Sequence, residues 1–208
     1  AIVEDGARRM LESQEDAFYY LTVANENYAH PATPEAAREG ILRGMYLFRK
    51  ADAAQVQLLG SGPILREALA AAELLEQDWG VAANVWSVTS FTELRRDGMR
   101  IERTRRFGDT GQAWVERCLA DTAGPVVAAS DYVSAVADLI RPYVPRRYVA
   151  LGTDGFGRSD TRERLRDFFE VSAKHIAIAA LAALENPSLA QALRHYRIEP
   201  EARAPWQR

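Results

Sequence analysis

An alternation of short apolar runs, glycine turns and amphipathic helices most strongly constrains the fold of this chain. VQLLGSG at residues 56–62 reads as a buried strand followed by a turn, and residues 63–78 carry apolar side chains at three- and four-residue intervals. Residues 85–88 then return as a second strand. A strand, a helix and a strand within about thirty residues are typical of a right-handed parallel crossover. The sequence therefore predicts a parallel sheet that is covered by helices.

The C-terminal half of the chain continues this pattern. Residues 126–129 and 148–151 read as two further strands, with a helix at residues 132–141 between them. Three helices with clear start and stop signals follow, at residues 161–169, 173–184 and 189–196. Such an alternation favours an α/β fold of three layers, with a mainly parallel but mixed sheet of about five strands flanked by helices.

The N-terminal residues follow a different pattern. Residues 6–15 read as a polar helix, and residues 17–24 are rich in aromatic and branched side chains, which predicts a buried strand. Residues 25–34 contain two prolines and two asparagines and read as a linker, whereas residues 36–48 predict a helix weakened by two glycines. We expect residues 17–24 to complete a sheet whose other strands lie upstream of Ala1.

Composition excludes several classes of protein. With 208 residues, of which 48% are hydrophobic and 26% charged, the chain has the composition of a packed globular protein. A net charge of -3 argues against nucleic acid as the main partner. Cys118 is the sole cysteine and agrees with a reducing cytoplasm, and no apolar run reaches the length of about eighteen residues that a membrane span requires. We expect a cytoplasmic protein without membrane or nucleic-acid partners.

The first candidate site is the turn Gly60, Ser61 and Gly62, which lies between a strand and a helix. Free amides at a helix start can bind an anion. However, GSGPIL lacks the third glycine of the dinucleotide-binding motif, and Leu59 stands where a nucleophile elbow needs glycine. The sequence favours a plain strand-to-helix turn and leaves an anion or interface site open.

The second candidate site is the loop LGTDGFGRSD at residues 151–160, which follows the last predicted strand. Its glycines permit close backbone approach, so that its polar and aromatic side chains could bind an anion or a partner subunit at the sheet edge. These side chains are Asp154, Phe156, Arg158, Ser159 and Asp160. The structural alternative is a tight turn in which Phe156 enters the core, Arg158 pairs with a carboxylate, and Ser159 and Asp160 cap the next helix.

The remaining polar residues give weaker indications of a functional site. Residues 95–106 contain six arginines, which read either as a solvated helix face or as a contact with carboxylates across a subunit boundary. The histidines at positions 30, 175 and 195 have no metal-ligand spacing, and His175 reads as a packed side chain rather than a general base. No pair of carboxylates is placed as an acid and a base.

Four segments together carry a family resemblance. In chain order, the segments are NENY at residues 25–28, VQLLGSG at 56–62, VWSVTSFTELRRDG at 85–98 and LGTDGFGRSD at 151–160. Their order and spacing carry the resemblance. From about residue 8 to residue 198, the chain resembles the C-terminal part of the homodimeric type of pyruvate dehydrogenase, the first component of the pyruvate dehydrogenase complex.

The resemblance implies a division of the chain and an activity of the whole enzyme. Residues 1–34 would be the end of a pyrimidine-binding-type, thiamin-binding α/β domain and its linker, residues 35–198 a transketolase-like C-terminal domain, and residues 199–208 a tail. Enzymes of this family decarboxylate pyruvate on thiamin diphosphate with magnesium. They reductively acetylate the lipoyl groups of dihydrolipoyl transacetylase, and they act as homodimers.

The resemblance also assigns roles within this chain. Asn25, Glu26 and Tyr28 would lie at the rim of the active-site funnel, although the residues alone read equally as a polar domain junction. The cofactor motif of the family, from Gly-Asp-Gly to Asn-Asn, does not occur in the sequence. We therefore expect no catalytic, cofactor-binding or metal-binding residue here, and an isolated chain that is inactive and serves domain packing and dimer assembly within the rest of the polypeptide.

Two alternatives remain open at this stage. The chain could be a free-standing ligand-binding or regulatory module that reuses the fold. It could also be the same part of another 2-oxo acid dehydrogenase, for example one that acts on 2-oxobutyrate.

Overall fold

The central element of the protein is a five-stranded sheet. The computed structural model describes residues 1–23, 27–28, 33 and 35–208. The strands are β1 (Met45–Arg49), β2 (Val56–Ser61), β3 (Ala83–Val88), β4 (Val126–Ala129) and β5 (Tyr148–Leu151). They lie in the order β1-β3-β2-β4-β5, with β1 antiparallel to β3 and all other neighbours parallel. The predicted mixed, mainly parallel sheet of about five strands is confirmed.

Helices connect and flank these strands. They are α1 (Ile2–Ala7), α2 (Arg38–Arg43), α3 (Ile64–Trp79), α4 (Phe91–Arg105), α5 (Trp114–Leu119), α6 (Ser134–Asp138), α7 (Arg162–Phe168), α8 (Ala173–Ala183) and α9 (Leu189–His195). A π-helical turn, Arg8–Glu12, follows α1, and short 3-10 helices lie at Glu35–Ala37, Arg141–Tyr143 and Pro205–Gln207. Within the described part of the chain, none of the helices combines the length and apolarity needed to cross a membrane.

The strands bury both faces, which gives the three layers that the sequence predicts. Because successive side chains of a strand point to opposite faces, neighbours in β2 enter different cores. Leu58 packs in a cluster with α3 and α8, while Leu59 packs in a second cluster with α4, α5 and α6. Both leucines are fully buried. The two clusters together explain why the parallel strands read as continuous apolar runs.

One polar side chain lies in the centre of the sheet. Gln57 of β2 is completely buried. Its Oε1 accepts hydrogen bonds from Asn84 Nδ2 at 3.1 Å and from Trp86 Nε1 at 2.9 Å, both on β3. Its Nε2 donates to the carbonyl oxygen of Ala123 at 3.0 Å. The network therefore satisfies the buried amide on both of its ends.

The predicted helix at residues 36–48 is wrong in its second half. Helix α2 ends at Arg43, because Gly44 adopts a left-handed conformation with φ 104°. Met45 then starts β1 and pairs with Val88 of β3. The apolar residues that resembled one helix face belong partly to an antiparallel edge strand.

The predicted strand at residues 17–24 is not observed in its described part. Residues 17–23 form no helix or strand, and Phe18, Tyr20 and Val23 are 88%, 85% and 89% exposed. In the part of the chain that the structure describes, these residues pair with no other strand.

Helices α4 and α5 were not predicted, and the arginine-rich segment lies on α4. Its start is well formed, since Ser90 Oγ accepts a hydrogen bond from the amide of Glu93 at 3.1 Å. Arg95 donates to the carbonyl of Leu139, and Arg105 forms a two-pronged pair with Glu116. Part of the arginine run thus serves the packing of the domain itself.

The strand order creates a switch point between β2 and β4. The chain leaves β2 for α3 on one face of the sheet and leaves β4 for α6 on the opposite face. In open α/β sheets, the crevice beyond the carboxyl ends of two such strands is the usual place for a ligand or a functional loop.

Candidate functional site

At the switch point, the carboxyl edge of the sheet is contacted by Tyr28, which lies in the segment that the sequence predicts as a linker. The linker residue Tyr28 is half-buried there. The guanidinium of Arg66, on the first turn of α3, lies 4.8 Å from the centre of its ring. Arg166 Nη2, on α7, donates to Tyr28 Oη at 3.3 Å. Tyr28 is thus held by one arginine at its ring and by another at its hydroxyl.

Arg166 connects this tyrosine to the body of the domain. Its Nη1 donates to Glu67 Oε1 at 3.0 Å, and the side chains of the pair are only 15% and 20% exposed. Glu67 Oε2 in turn accepts from the amide of Ala173 at 2.9 Å, which satisfies a free donor at the start of α8. We call the chain of contacts from Tyr28 through Arg166 and Glu67 to Ala173 the linker latch.

The electrostatics of the latch keep Arg166 charged. Desolvation by burial lowers the pKa of Arg166, but the hydrogen bond to Tyr28 and the charge of Glu67 outweigh it, so that the pKa lies above its ordinary value. Glu67 has both carboxylate oxygens occupied by donors. It is therefore a structural acceptor rather than a free general base.

A second contact ties the chain just before the predicted linker to the loop after β4. Thr22 Oγ1 and the hydroxyl of Tyr132 lie 2.6 Å apart. Asp131, the neighbour of Tyr132, keeps access to solvent. Desolvation raises the pKa of its carboxyl above the ordinary value, while the charges of Arg166 and Arg162 act in the opposite direction. The N-terminal segment therefore touches the carboxyl edge of the sheet at Thr22 as well as at Tyr28.

Of the three predicted rim residues, only Tyr28 is described. Asn25 and Glu26 lie outside the described residues. The latch partners Arg66, Glu67 and Arg166 were missed by the sequence reasoning. Their sequence signal is weak, because the first two lie on an ordinary amphipathic helix and the third on a charged one; only the strand order brings them together.

The turn at Gly60, Ser61 and Gly62 has a packing role. A side-chain carbon at Gly60 would lie 2.6 Å from the Cα of Leu65, so that glycine permits the close approach of β2 and α3. Gly62 has φ 55°, and its carbonyl accepts from the amide of Leu65 at 3.2 Å. Ser61 is half-buried at the end of β2. The geometry is that of the plain turn that the sequence favours.

The predicted loop after β5 supports the neighbouring loop after β4. Asp154 Oδ1 accepts from the amide of Ser134 at 2.9 Å and thus satisfies a donor at the start of α6. Gly152 packs so tightly here that a side-chain carbon would lie 2.2 Å from the nitrogen of Ser134. Asp154 and Gly152 therefore hold the helix that begins on the far side of the switch point.

One detail of the structural alternative for this loop is wrong. Phe156 is 83% exposed rather than inserted in the core. Arg158 Nη2 donates to the main-chain oxygen of Arg208 at 2.8 Å, and its guanidinium lies 5.2 Å from the ring centre of Phe168. The exposed loop tip packs against the tail instead of the core.

The predicted cap of the next helix is also misplaced. Thr161, not Ser159 or Asp160, is the N-cap of α7, with its hydroxyl accepting from the amide of Arg164. Asp160 Oδ1 accepts from the amide of Thr161 at 2.7 Å, and Ser159 is exposed. The shift moves the start of the helix by only one or two residues, which is the usual uncertainty of helix ends read from sequence.

A cluster around His175 resembles a catalytic triad in composition but not in geometry. Ser172 Oγ lies 2.9 Å from His175 Nδ1, and Asp167 Oδ1 lies 3.9 Å from the same nitrogen. A triad needs its nucleophile and its carboxylate on different ring nitrogens. Burial lowers the pKa of His175 to about 4, with Asp167 opposing and Lys174 adding to the shift. The cluster joins α7 to α8 around a neutral histidine.

Comparison with known proteins identifies the family. The profile of the transketolase-like TK C-terminal domain matches residues 44–172, more than half of the chain. The chain belongs to this family. The profile of the pyruvate dehydrogenase E1 component middle domain matches residues 1–31. The switch point therefore lies within the residues that match the transketolase-like C-terminal domain, and Tyr28 lies within the residues that match the middle domain.

Curated relatives are about half identical to the chain over the residues that align with it. The pyruvate dehydrogenase E1 component of Cupriavidus necator is 50% identical over 96% of the chain, and that of Pseudomonas aeruginosa is 51% identical over 98%. The same component of Mycobacterium tuberculosis is 46% identical over 99% of the chain. The chain spans about a quarter of the length of these relatives, 24%, 25% and 24% respectively. The family resemblance read from the sequence is confirmed.

Solved structures confirm the fold. Transketolase from Campylobacter jejuni superposes with a TM-score of 0.50 at 22% identity, covering 74% of this chain and 20% of that one. Transketolase from Pichia stipitis gives a TM-score of 0.51 at 18% identity, covering 71% of this chain and 19% of that one. The transketolase C-terminal-like architecture is thus shared with enzymes of low sequence identity.

Proposed function

We propose that this chain is the C-terminal part of a pyruvate dehydrogenase E1 component, which decarboxylates pyruvate and reductively acetylates the lipoyl groups of a transacetylase. The observation that carries the proposal is the identity of about half of all residues to proteins of that name over nearly the whole chain. No contact among the described residues favours the free-standing ligand-binding module or a dehydrogenase for another 2-oxo acid.

Within the complete polypeptide, we infer a division into three parts. Residues 1–34 would be the end of a thiamin-binding domain with its linker, residues 35–198 the C-terminal domain, and residues 199–208 a tail. In support, the two cores around the sheet draw all their buried residues from residue 45 onwards. The latch at Tyr28 lies at the proposed boundary.

The exposed aromatic segment at residues 17–23 supports an upstream domain. Phe18 and Tyr20 stand two positions apart, so an extended chain would place both on one face. Soluble proteins rarely leave such a face uncovered, and contiguous exposed apolar surface marks a contact site. We propose that the rest of the same polypeptide covers this face, since the relatives extend about four times as far as the chain.

Thiamin diphosphate and magnesium would serve the complete enzyme, and the described residues do not fit them. No three His, Cys, Asp or Glu side chains of these residues are grouped so as to hold a metal ion. The amides of Leu65 and Arg66, which follow the glycine turn, already donate within that turn. We expect the isolated chain neither to bind thiamin diphosphate nor to turn over; stoichiometric binding in a calorimetric titration would contradict this.

The proposed roles of the predicted site residues follow from their places in the fold. Tyr28, with Asn25 and Glu26, would approach the active site from the linker. The two glycine loops, at residues 60–62 and 154–160, would serve domain packing and contacts of a homodimer. Dihydrolipoyl transacetylase would be the partner in the complex, and we propose a cytoplasmic location.

The reading frame upstream of Ala1 tests the proposal. We expect it to continue in frame and to encode the Gly-Asp-Gly to Asn-Asn motif of the family. A stop codon followed by a nearby start codon would overturn the assignment and turn attention to a module with its own ligand.

A further inference from the structure

Two described residues, Thr22 just before the predicted linker and Tyr28 within it, contact the carboxyl edge of the sheet. Thr22 precedes the linker's undescribed residues and lies 2.6 Å from the hydroxyl of Tyr132, which follows β4. Tyr28 contacts Arg66 and Arg166, which follow β2 and β5 in the chain. Three different strands of the sheet therefore place the side chains that receive one short stretch of chain.

Arg166 bridges Tyr28 and the core helices. Its two terminal nitrogens are used in different directions, Nη1 towards Glu67 on α3 and Nη2 towards Tyr28. A planar guanidinium carries these two donors on separate nitrogens in one fixed plane, whereas a lysine ammonium gathers its donors on a single rotatable nitrogen and does not reproduce this geometry. Since Glu67 lies on α3 and also holds the start of α8, the tyrosine is coupled to two of the helices that cover this face of the sheet.

We propose that Arg166 is a positioning residue, which fixes the linker at Tyr28 and thereby sets the C-terminal domain against the upstream part of the polypeptide. The inference rests on the proposed function, because the position of the domain matters only if an upstream catalytic part exists. The crevice where related folds bind ligands is, in this protein, the seat of its own linker.

The test compares four variants of the complete polypeptide. Tyr28→Phe keeps the ring over Arg66 and removes the hydroxyl; Arg166→Lys keeps the charge beside Glu67 and removes the bridge; Arg166→Met removes both contacts. Arg164→Met is the matched control, since Arg164 lies on the same helix with its side chain 77% exposed and its carboxylate partner Asp160 at 3.9 Å.

Hydrogen exchange of the peptide covering residues 17–34, measured by mass spectrometry, reports directly on the latch. We expect exchange to rise about fivefold in Tyr28→Phe and in Arg166→Lys, as for the loss of one hydrogen bond of about 1 kcal/mol. Arg164→Met should leave it unchanged. Raised exchange throughout α7 and α8 in Arg166→Met would show that this variant also loosens the two helices. The proposal is then judged on Tyr28→Phe, which keeps the pair of Arg166 with Glu67. Unchanged exchange in Tyr28→Phe and Arg166→Lys would overturn the proposal.

Steady-state kinetics separate this inference from the proposed function. For a positioning role, we expect the same variants to lower kcat for pyruvate at an unchanged KM, with Tyr28→Phe and Arg166→Lys affected alike. A wild-type enzyme that acts on pyruvate, with variants of unchanged kcat, would refute the positioning role alone. A wild-type protein inactive on pyruvate would refute the proposed function, while the exchange measurement would still decide whether the latch exists.

Discussion

Replacement of Gln57 by leucine removes the polar centre of the sheet without a large change of volume. The amide makes three hydrogen bonds, to Asn84, Trp86 and the carbonyl of Ala123, and is 0% exposed. In the variant, the Nδ2 of Asn84 and the Nε1 of Trp86 lose their acceptor inside the sheet. The carbonyl of Ala123 can turn to water, because that residue is exposed.

The balance of these effects gives the expected magnitude. A buried donor left without a partner costs about 1–3 kcal/mol, so the two donors together cost about 4 kcal/mol. The leucine side chain recovers about 2 kcal/mol through its apolar burial. We therefore expect Gln57→Leu to lower the free energy of unfolding by about 2 kcal/mol.

Urea unfolding of the 208-residue chain, followed by tryptophan fluorescence and circular dichroism, measures this difference. The double variant Gln57→Leu/Trp86→Phe removes the indole donor together with its amide acceptor. Its loss of unfolding free energy should therefore be smaller than the sum of the losses of the two single variants. A single variant within about 0.5 kcal/mol of the wild type, or strictly additive losses, would refute the role of the network.

Three further outcomes are expected. Gly98→Ala should lower Tm, because the added Cβ would lie 2.3 Å from the buried ring of Tyr143 and overpacking costs about 1–3 kcal/mol. This cost exceeds the gain in helix propensity of about 1 kcal/mol that alanine brings. A raised Tm would contradict the packing of α4. Burial raises the pKa of Cys118 to about 11, so a thiol reagent should modify it at pH 8 far more slowly in the folded than in the urea-unfolded chain, and equal rates would count against its burial. The pKa of His175 falls from 6.5 to about 4 on folding, so the unfolded state takes up a proton at a higher pH than the folded state. The contribution of neutral His175 to stability is therefore complete above pH 6.5. It is lost as the pH falls towards 4, by up to about 1.4 kcal/mol per pH unit. In urea titrations at several pH values, His175→Gln should lose this part of the pH dependence, and an unchanged profile would disprove it.

The parallel part of the sheet could be predicted because its signals are local. Strands β2 to β5 are short apolar runs that end in glycine or polar turns, and the sequences of α3, α8 and α9 carry start and stop signals and apolar faces. The edge strand β1 could not be predicted, since five residues after Gly44 become a strand only by pairing with β3. Residues 17–23 read as a strand from their aromatic content, yet a strand needs a partner that their own composition does not supply.

The linker contact was predicted only in part, for a related reason. Tyr28 stood out because NENY is a compact polar segment after an apolar one. Arg166 and Glu67 are separated by 99 positions in the chain and meet only through the order of the strands. The structural alternative for the loop placed Phe156 in the core because phenylalanine is usually buried. The glycines around it instead let the loop tip project into solvent.

The role of the chain in pyruvate oxidation is tested most directly by an activity assay on the complete polypeptide encoded by its reading frame. Pyruvate, thiamin diphosphate, magnesium and a lipoyl domain would be supplied, and acetyl transfer to the lipoyl group followed by mass spectrometry, with 2-oxobutyrate as the competing substrate. We predict acetylation that depends on thiamin diphosphate and prefers pyruvate, and that is lost when residues 35–208 are deleted. A folded, cofactor-loaded polypeptide that leaves the lipoyl group unmodified, or that prefers 2-oxobutyrate, would contradict the assignment.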